Sequence, residues 1–136
     1  MLETEAARPT FVAWYRNPAR PTPASLRIAY QDDDDSWGSL QIDFVVVSRR
    51  GDGTLGVSIV DPHGDYLADT RPKLQALARY AELYGDHYVR IESLVKVDGQ
   101  LRVLDLHDSS VRAEVMEFDG AQVSSLYEGP HARDYR

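Results

Sequence analysis

Asp43 is the first residue in the sequence whose chemistry needs an explanation. It lies in the apolar run IDFVVV at residues 42–47, which is typical of a strand near the centre of a sheet. An ionised carboxylate in such a strand is costly to bury unless a cation or a hydrogen-bond donor meets it. Either Asp43 faces solvent on the polar side of the strand, or it belongs to a functional site.

A second carboxylate, Asp61, and an imidazole, His63, lie two positions apart where the next predicted strand ends. Side chains two apart project from one face of a strand, and Asp43 can face the same side. Two carboxylates beside an imidazole make a candidate site for Mg²⁺ or Mn²⁺, which are hard cations that take oxygen ligands. Alternatively, Asp61 begins an Asp-Pro-His-Gly turn and accepts bonds from backbone amides. The spacing alone leaves both interpretations open.

The sequence resembles the PD-(D/E)xK nuclease fold, in particular the C-terminal endonuclease domains attached to the helicase subunits of type III restriction enzymes. Residues 41–46, QIDFVV, are similar to the PDF strand of that family. Residues 59–64, IVDPHG, are similar to its acid-x-lysine-glycine strand end. The resemblance implies a restriction-endonuclease-like mixed sheet flanked by helices, and metal-dependent hydrolysis of phosphodiester bonds.

The resemblance also implies roles for individual residues. In that family two acidic residues hold a metal ion that activates water, and a lysine orients the water or stabilises developing charge. Asp43 and Asp61 are then the metal ligands, and His63 stands in the position of the lysine. Histidine has a shorter reach than lysine and is largely uncharged at neutral pH, so it stabilises the transition state less well.

Three outcomes follow from the replacement of the lysine by His63. His63 acts as the general base or as a third metal ligand. Alternatively, Lys73 in the first turn of the following helix supplies the ammonium group, or the site is inactive and the domain is kept for binding. Loss of the lysine usually accompanies loss of catalysis in this fold, which favours the last outcome. Asp65 and Asp69 are weaker candidates, either as outer carboxylates or as caps of that helix.

The apolar periodicity predicts an α/β (α+β) domain with the order helix, strand, strand, strand, helix, strand, strand, helix. The clearest helix carries Leu74, Leu77 and Ala81 at helical spacing. We expect one restriction-endonuclease-like domain over residues 1–130 and a flexible tail over 131–136. The predicted elements are a helix over 9–15, strands over 26–30, 39–48 and 55–60, a helix over 71–84, strands over 88–97 and 100–106, and a helix that starts near Asp108.

The composition limits the classes of function. The 136 residues carry a net charge of −7, which argues against strong DNA binding by the isolated chain, because DNA-binding surfaces are usually basic. The chain has no cysteine, which excludes disulfides and thiolate metal sites and fits a reducing compartment. No apolar run reaches the length of a membrane helix, and the start is acidic, so we expect a cytoplasmic protein without a membrane partner.

These observations predict a nuclease-fold domain, active or degenerate, within a larger DNA-acting protein of helicase or restriction type. The sequence has no GxxxxGK loop, so a helicase or ATPase region is expected elsewhere in the polypeptide or in a partner. If active, the domain is a metal-dependent endodeoxyribonuclease that uses Mg²⁺ or Mn²⁺. The alternative is a non-catalytic protein-interaction module on the same fold, in which Asp43, Asp61 and His63 are ordinary polar residues.

Overall fold

The computed structural model describes residues 1–64 and 70–136. Its regular elements are four helices and eight strands within these ranges. A single 3-10 turn follows the longest helix. The helices are α1 (Leu2–Ala6), α2 (Thr70–Tyr84), α3 (Ser109–Glu117) and α4 (Ser124–Glu128), and the strands are β1 (Phe11–Arg16), β2 (Arg27–Gln31), β3 (Trp37–Gln41), β4 (Phe44–Arg49), β5 (Leu55–Pro62), β6 (Arg90–Val97), β7 (Gln100–Asp105) and β8 (Arg133–Asp134).

The strands form one large sheet and one small one. The large sheet has the order β1-β4-β5-β6-β7-β8, and β2 and β3 form a separate two-stranded sheet. Only β5 and β6 are parallel among the pairs described, and α2 lies between them in the chain. The remaining pairs are antiparallel. The fold is therefore a mixed α+β fold, with a mostly antiparallel sheet flanked by helices.

The large sheet separates two apolar clusters. On one face Ile59 and Ile91 pack in a cluster that includes Leu77 of α2 and residues of β2, β3, α3 and α4. On the other face Val60 and Leu94 pack in a smaller cluster that both chain ends help to cover. Alternation along β5 and β6 explains this division, because neighbouring residues of a strand point to opposite faces.

Several predicted elements are confirmed by the structure. The strand over 55–60, the helix over 71–84 and the strands over 88–97 and 100–106 correspond to β5, α2, β6 and β7. Asp98 and Gly99 have φ values of 48° and 82°, which suits a two-residue hairpin turn. The last predicted helix is α3, and the Asp108 side chain caps it by accepting from the Ser110 amide at 2.8 Å.

The predicted helix over 9–15 is wrong, because this segment forms strand β1. Phe11, Val12 and Tyr15 fit one face of a helix, but aromatic and β-branched residues also favour strands. Pairing with β4 decides between the two, with Trp14 opposite Val46 in an antiparallel register. β1 is an edge strand and most of it is exposed.

The predicted single strand over 39–48 is also wrong, because the chain leaves one sheet and enters another at Ile42 and Asp43. β3 pairs with β2 in the small sheet, whereas β4 pairs with β1 and β5 in the large one. Ile42 at this junction is fully buried. The apolar pattern runs through the junction without interruption, so it does not reveal the change of sheet.

The predicted flexible tail over 131–136 is wrong as well. Arg133–Asp134 form β8, which pairs with β7. Tyr135 is buried, and its amide donates to the Leu101 carbonyl at 3.0 Å. Arg102 of β7 also donates to the Asp134 carboxylate at 2.6 Å. The C-terminal residues are therefore part of the fold. Within the described residues, no helix combines the length and apolarity that a membrane crossing requires.

A buried ionic network ties both chain ends to the centre of the sheet. Arg90 of β6 donates to both carboxylate oxygens of Glu5, at 3.1 and 2.7 Å, and to Glu92 at 2.8 Å. Arg133 donates to Glu92 at 2.8 Å, and the Tyr135 hydroxyl donates to Glu5. Burial acts to raise the pKa of Glu5, but the bonds from Arg90 and Tyr135 outweigh it and lower that pKa. At Glu92 burial prevails and raises the pKa.

Replacement of Arg90 by alanine should lower the free energy of unfolding by about 3 kcal/mol, because two buried carboxylates lose a shared cation. Arg27→Ala, at an exposed position of β2, is the matched control and should change that free energy by less than about 0.5 kcal/mol. Urea unfolding followed by circular dichroism measures both. Equal effects of the two substitutions would show that the network contributes no special stability.

Candidate active site

Four residues singled out from the sequence line one pocket. Asp43 precedes β4, Asp61 lies near the end of β5, His63 follows β5, and Lys73 lies in the first turn of α2. Ser93 of β6 contributes to the same wall. The pocket is formed where antiparallel β4 and β5 meet the start of the crossover helix. Residues far apart in the sequence thus meet at one end of the interior strands of the sheet.

The strand register brings Asp43 and Asp61 side by side. Phe44 of β4 pairs with Val60 of β5. Asp43, just before Phe44, therefore lies opposite Asp61, just after Val60. The Asp43 amide donates to Oδ1 of Asp61 at 2.9 Å. Asp61 is 7% exposed, whereas the Asp43 residue is exposed to solvent. The expected turn beginning at Asp61 is therefore wrong, because Asp61 and Pro62 lie within strand β5 and the amide bonded to Asp61 belongs to Asp43.

The pocket makes ionisation of both carboxyls unfavourable. Burial raises the pKa of Asp61 to about 7. The bond from the Asp43 amide lowers this pKa, the neighbouring Asp43 carboxylate raises it, and the Lys73 charge lowers it. Burial also raises the pKa of Asp43, against the lowering effect of Arg16. A bound cation or proton would relieve this repulsion, which is a common feature of functional carboxylate pairs.

His63 is held by two hydroxyl groups. Its Nε2 lies 2.9 Å from Oγ of Ser93 and 2.8 Å from the hydroxyl oxygen of Tyr127, and these two oxygens are 2.8 Å apart. The His63 and Tyr127 rings meet edge to face, with centroids 5.7 Å apart. Ser93 and Tyr127 are almost completely buried. The contacts fix the imidazole through Nε2, so this nitrogen is engaged within the fold.

Ser93 and Tyr127 were missed by the sequence analysis. Ser93 carried a usable signal, because it is a polar residue within the apolar strand β6 and lies opposite Asp61 in the parallel register. Tyr127 carried none, because α4 reaches the pocket only through the tertiary fold. Arg102 supports α4 there by donating from Nε to the Tyr127 carbonyl at 3.0 Å.

Asp43 and Asp61 are the two pocket carboxylates that could hold a divalent cation. Mg²⁺ commonly binds one or two carboxylates and keeps several waters, and Asp43 and Asp61 supply hard oxygen ligands of that kind. Within residues 1–64 and 70–136, no three side chains of the His, Cys, Asp or Glu type are grouped so as to hold a metal ion. The structure therefore gives no support to His63 as a third ligand. Asp65 and Asp69 lie outside the described residues.

Fold and pocket together define a mixed α+β protein in which a buried and an exposed carboxylate line one pocket with a lysine. The chain belongs to the YagJ family, whose model matches residues 1–136. It is 40% identical over 136 residues to protein YagJ of Escherichia coli strain K12. The match covers 100% of this chain and 54% of the relative, so the chain spans about half the length of that protein. No solved structure matches the chain.

The raised pKa of Asp61 gives a signed prediction for the metal-free protein. Since its pKa is about 7 in the folded state and near 3.8 when unfolded, folding takes up a proton between these values. The contribution to stability is present below about pH 4 and is lost by roughly 1.4 kcal/mol per pH unit up to about pH 7.

Asp61→Asn should remove this dependence, because asparagine keeps an oxygen acceptor for the Asp43 amide but does not titrate. Urea unfolding in the presence of a chelator, at a series of pH values, gives the difference between the variant and the parent. That difference should grow in favour of Asp61→Asn as the pH rises. Asp34→Asn, at an exposed position between β2 and β3, should keep the pH dependence of the parent. Parallel curves for Asp61→Asn and the parent would contradict the assignment.

Proposed function

We propose that this chain is a nuclease-fold domain of the PD-(D/E)xK type, which binds Mg²⁺ or Mn²⁺ at Asp43 and Asp61 and hydrolyses DNA phosphodiester bonds. The observation that carries the proposal is the convergence of these carboxylates with Lys73 in one pocket. The proposal places the domain in a larger DNA-acting protein with a helicase or ATPase region, because a chain of net charge −7 grips DNA poorly by itself. The lack of cysteine fits work in the cytoplasm.

The order of helices and strands supports the proposal, although the first elements are formed by other residues than the sequence analysis predicted. When the β2–β3 hairpin is set aside, the chain runs through α1, β1, β4, β5, α2, β6, β7 and α3. This series, which α4 and β8 follow, has the order that the apolar periodicity predicts, but with α1 and β1 in place of the predicted helix over 9–15 and strand over 26–30. The candidate acidic residues lie at the second and third of these strands, as in the motif.

Each residue then has a chemical role. A bound divalent cation supplies Lewis acidity and a water of lowered pKa. Asp43 and Asp61 hold the cation through carboxylate oxygens, and burial of Asp61 excludes bulk water from this side of the site. The positive charge of Lys73 acts to lower the pKa of Asp61. The same charge can stabilise a phosphate oxygen in the transition state. His63 anchors the pocket wall through Ser93 and Tyr127.

A second candidate function is a non-catalytic interaction module. One observation favours it, since the residue in the motif lysine position, His63, has its Nε2 bound to Ser93 and Tyr127. Exposed aromatic side chains such as Trp14 on the edge strand and Trp37 on the small sheet offer apolar contact area for a partner. On this alternative Asp43 and Asp61 stabilise the sheet junction and bind no cation.

Binding of Mn²⁺ separates the two functions. Mn²⁺ should raise the thermal unfolding temperature of the parent protein, because a ligand that binds only the folded state stabilises it. Asp43→Asn should abolish the rise, whereas Asp34→Asn should preserve it, since Asp34 is an exposed carboxylate away from the pocket. Differential scanning fluorimetry provides the measurement. If Mn²⁺ does not change the unfolding temperature of the parent protein, the result would favour the interaction module.

The identity of the cationic group is tested by cleavage of plasmid and single-stranded DNA with Mn²⁺. Lys73→Ala should lower the rate by about 100-fold or more, as expected for loss of a group that stabilises transition-state charge. His63→Ala should have a smaller effect, because Nε2 of His63 is engaged by the pocket wall. Asp61→Asn is the inactive reference. A large loss with His63→Ala and none with Lys73→Ala would assign the motif position to His63 instead.

A further inference from the structure

Asn17 is a buried polar residue that the proposed chemistry does not use. It follows β1 and is 4% exposed, and both ends of its side-chain amide form hydrogen bonds. Nδ2 donates to the carbonyls of Leu26 and Ile42, at 2.8 Å each, and Oδ1 accepts from the Leu26 amide at 2.9 Å. An asparagine amide has two N–H donors and one acceptor oxygen, so each kind of group is satisfied.

These bonds join three segments at the point where the chain changes sheets. Leu26 leads into β2, and Ile42 lies between β3 and β4. The Asn17 backbone amide also donates to the Asp43 carbonyl at 2.8 Å. On its other side Asp43 is held by the bond from its own amide to Asp61. The peptide group before Asp43 is therefore held by both the Asn17 side chain and Asp61, and the one after Asp43 by the Asn17 backbone amide.

We infer that Asn17 is a positioning residue of the Asp43–Asp61 site, which holds the sheet junction so that both carboxylates can bind one divalent cation. The inference rests on the proposed function. Asparagine suits this role because donation to two carbonyls and acceptance from an amide require both ends of a carboxamide. An aspartate of the same shape would place a carboxylate against the Leu26 and Ile42 carbonyls and lose both donors.

The test compares Mn²⁺ affinities, measured by isothermal titration calorimetry at a temperature where circular dichroism shows each protein to be folded. Asn17→Ala and Asn17→Asp should each weaken Mn²⁺ binding by about 10- to 100-fold, which is the usual effect of losing a residue that orients a metal ligand. For Asn17→Asp this loss would oppose the electrostatic effect of the added negative charge. The control is Val103→Ala, which destabilises the core on the other face of the sheet and should leave the affinity unchanged.

Hydrogen exchange of the Asp43 amide provides a readout without metal. This amide should exchange faster in the Asn17 variants than in Val103→Ala, because its bond to Asp61 depends on the junction. If the parent binds Mn²⁺ and the Asn17 variants bind it as tightly, the inference is overturned while the proposed function stands. If the parent binds no Mn²⁺, the proposed function fails and the inference fails with it. Failure of both Asn17 variants to fold would make Asn17 a residue of general stability and would also overturn the inference.

Discussion

The bond from the Asp43 amide to the Asp61 carboxylate is the contact around which the pocket is organised. It forms because β4 and β5 pair in a register that brings an exposed and a buried acidic residue together at one end of these two strands. Apolar packing on both faces fixes this register, since a slip by one residue would reverse every side chain. The sheet therefore holds the two carboxyl groups near each other, although their negative charges repel. A bound cation or a proton would reduce this repulsion.

Elements with one dominant pattern could be predicted from the sequence, and elements defined by distant contacts could not. α2 has a clear helical stripe, and Asp98 and Gly99 have the chemistry of a tight turn, so both were found. β1 was assigned to the wrong class because Phe11, Val12 and Tyr15 satisfy both helical spacing and strand propensity. At the change of sheet the Ile42 carbonyl accepts a hydrogen bond from Asn17, 25 positions away, and no local pattern encodes that bond.

The same distinction holds at the pocket. Asp43, Asp61 and His63 stood out because polar residues beside apolar strands need a reason to be there, and the structure places all three on the pocket wall with Lys73. Their mutual orientation was beyond the sequence, because the contacts of His63 come from Ser93 and Tyr127 on two other elements. Residue type thus predicted several residues of the pocket wall, whereas the partners of His63 are set by tertiary packing that the sequence does not show.

The most direct test of the account is the location of a bound cation. In crystals grown with Mn²⁺, anomalous scattering at the manganese edge should give one strong peak between the carboxylates of Asp43 and Asp61, at bonding distance from an oxygen of each. Clear density for both side chains without such a peak, or manganese bound only elsewhere on the protein, would contradict the account.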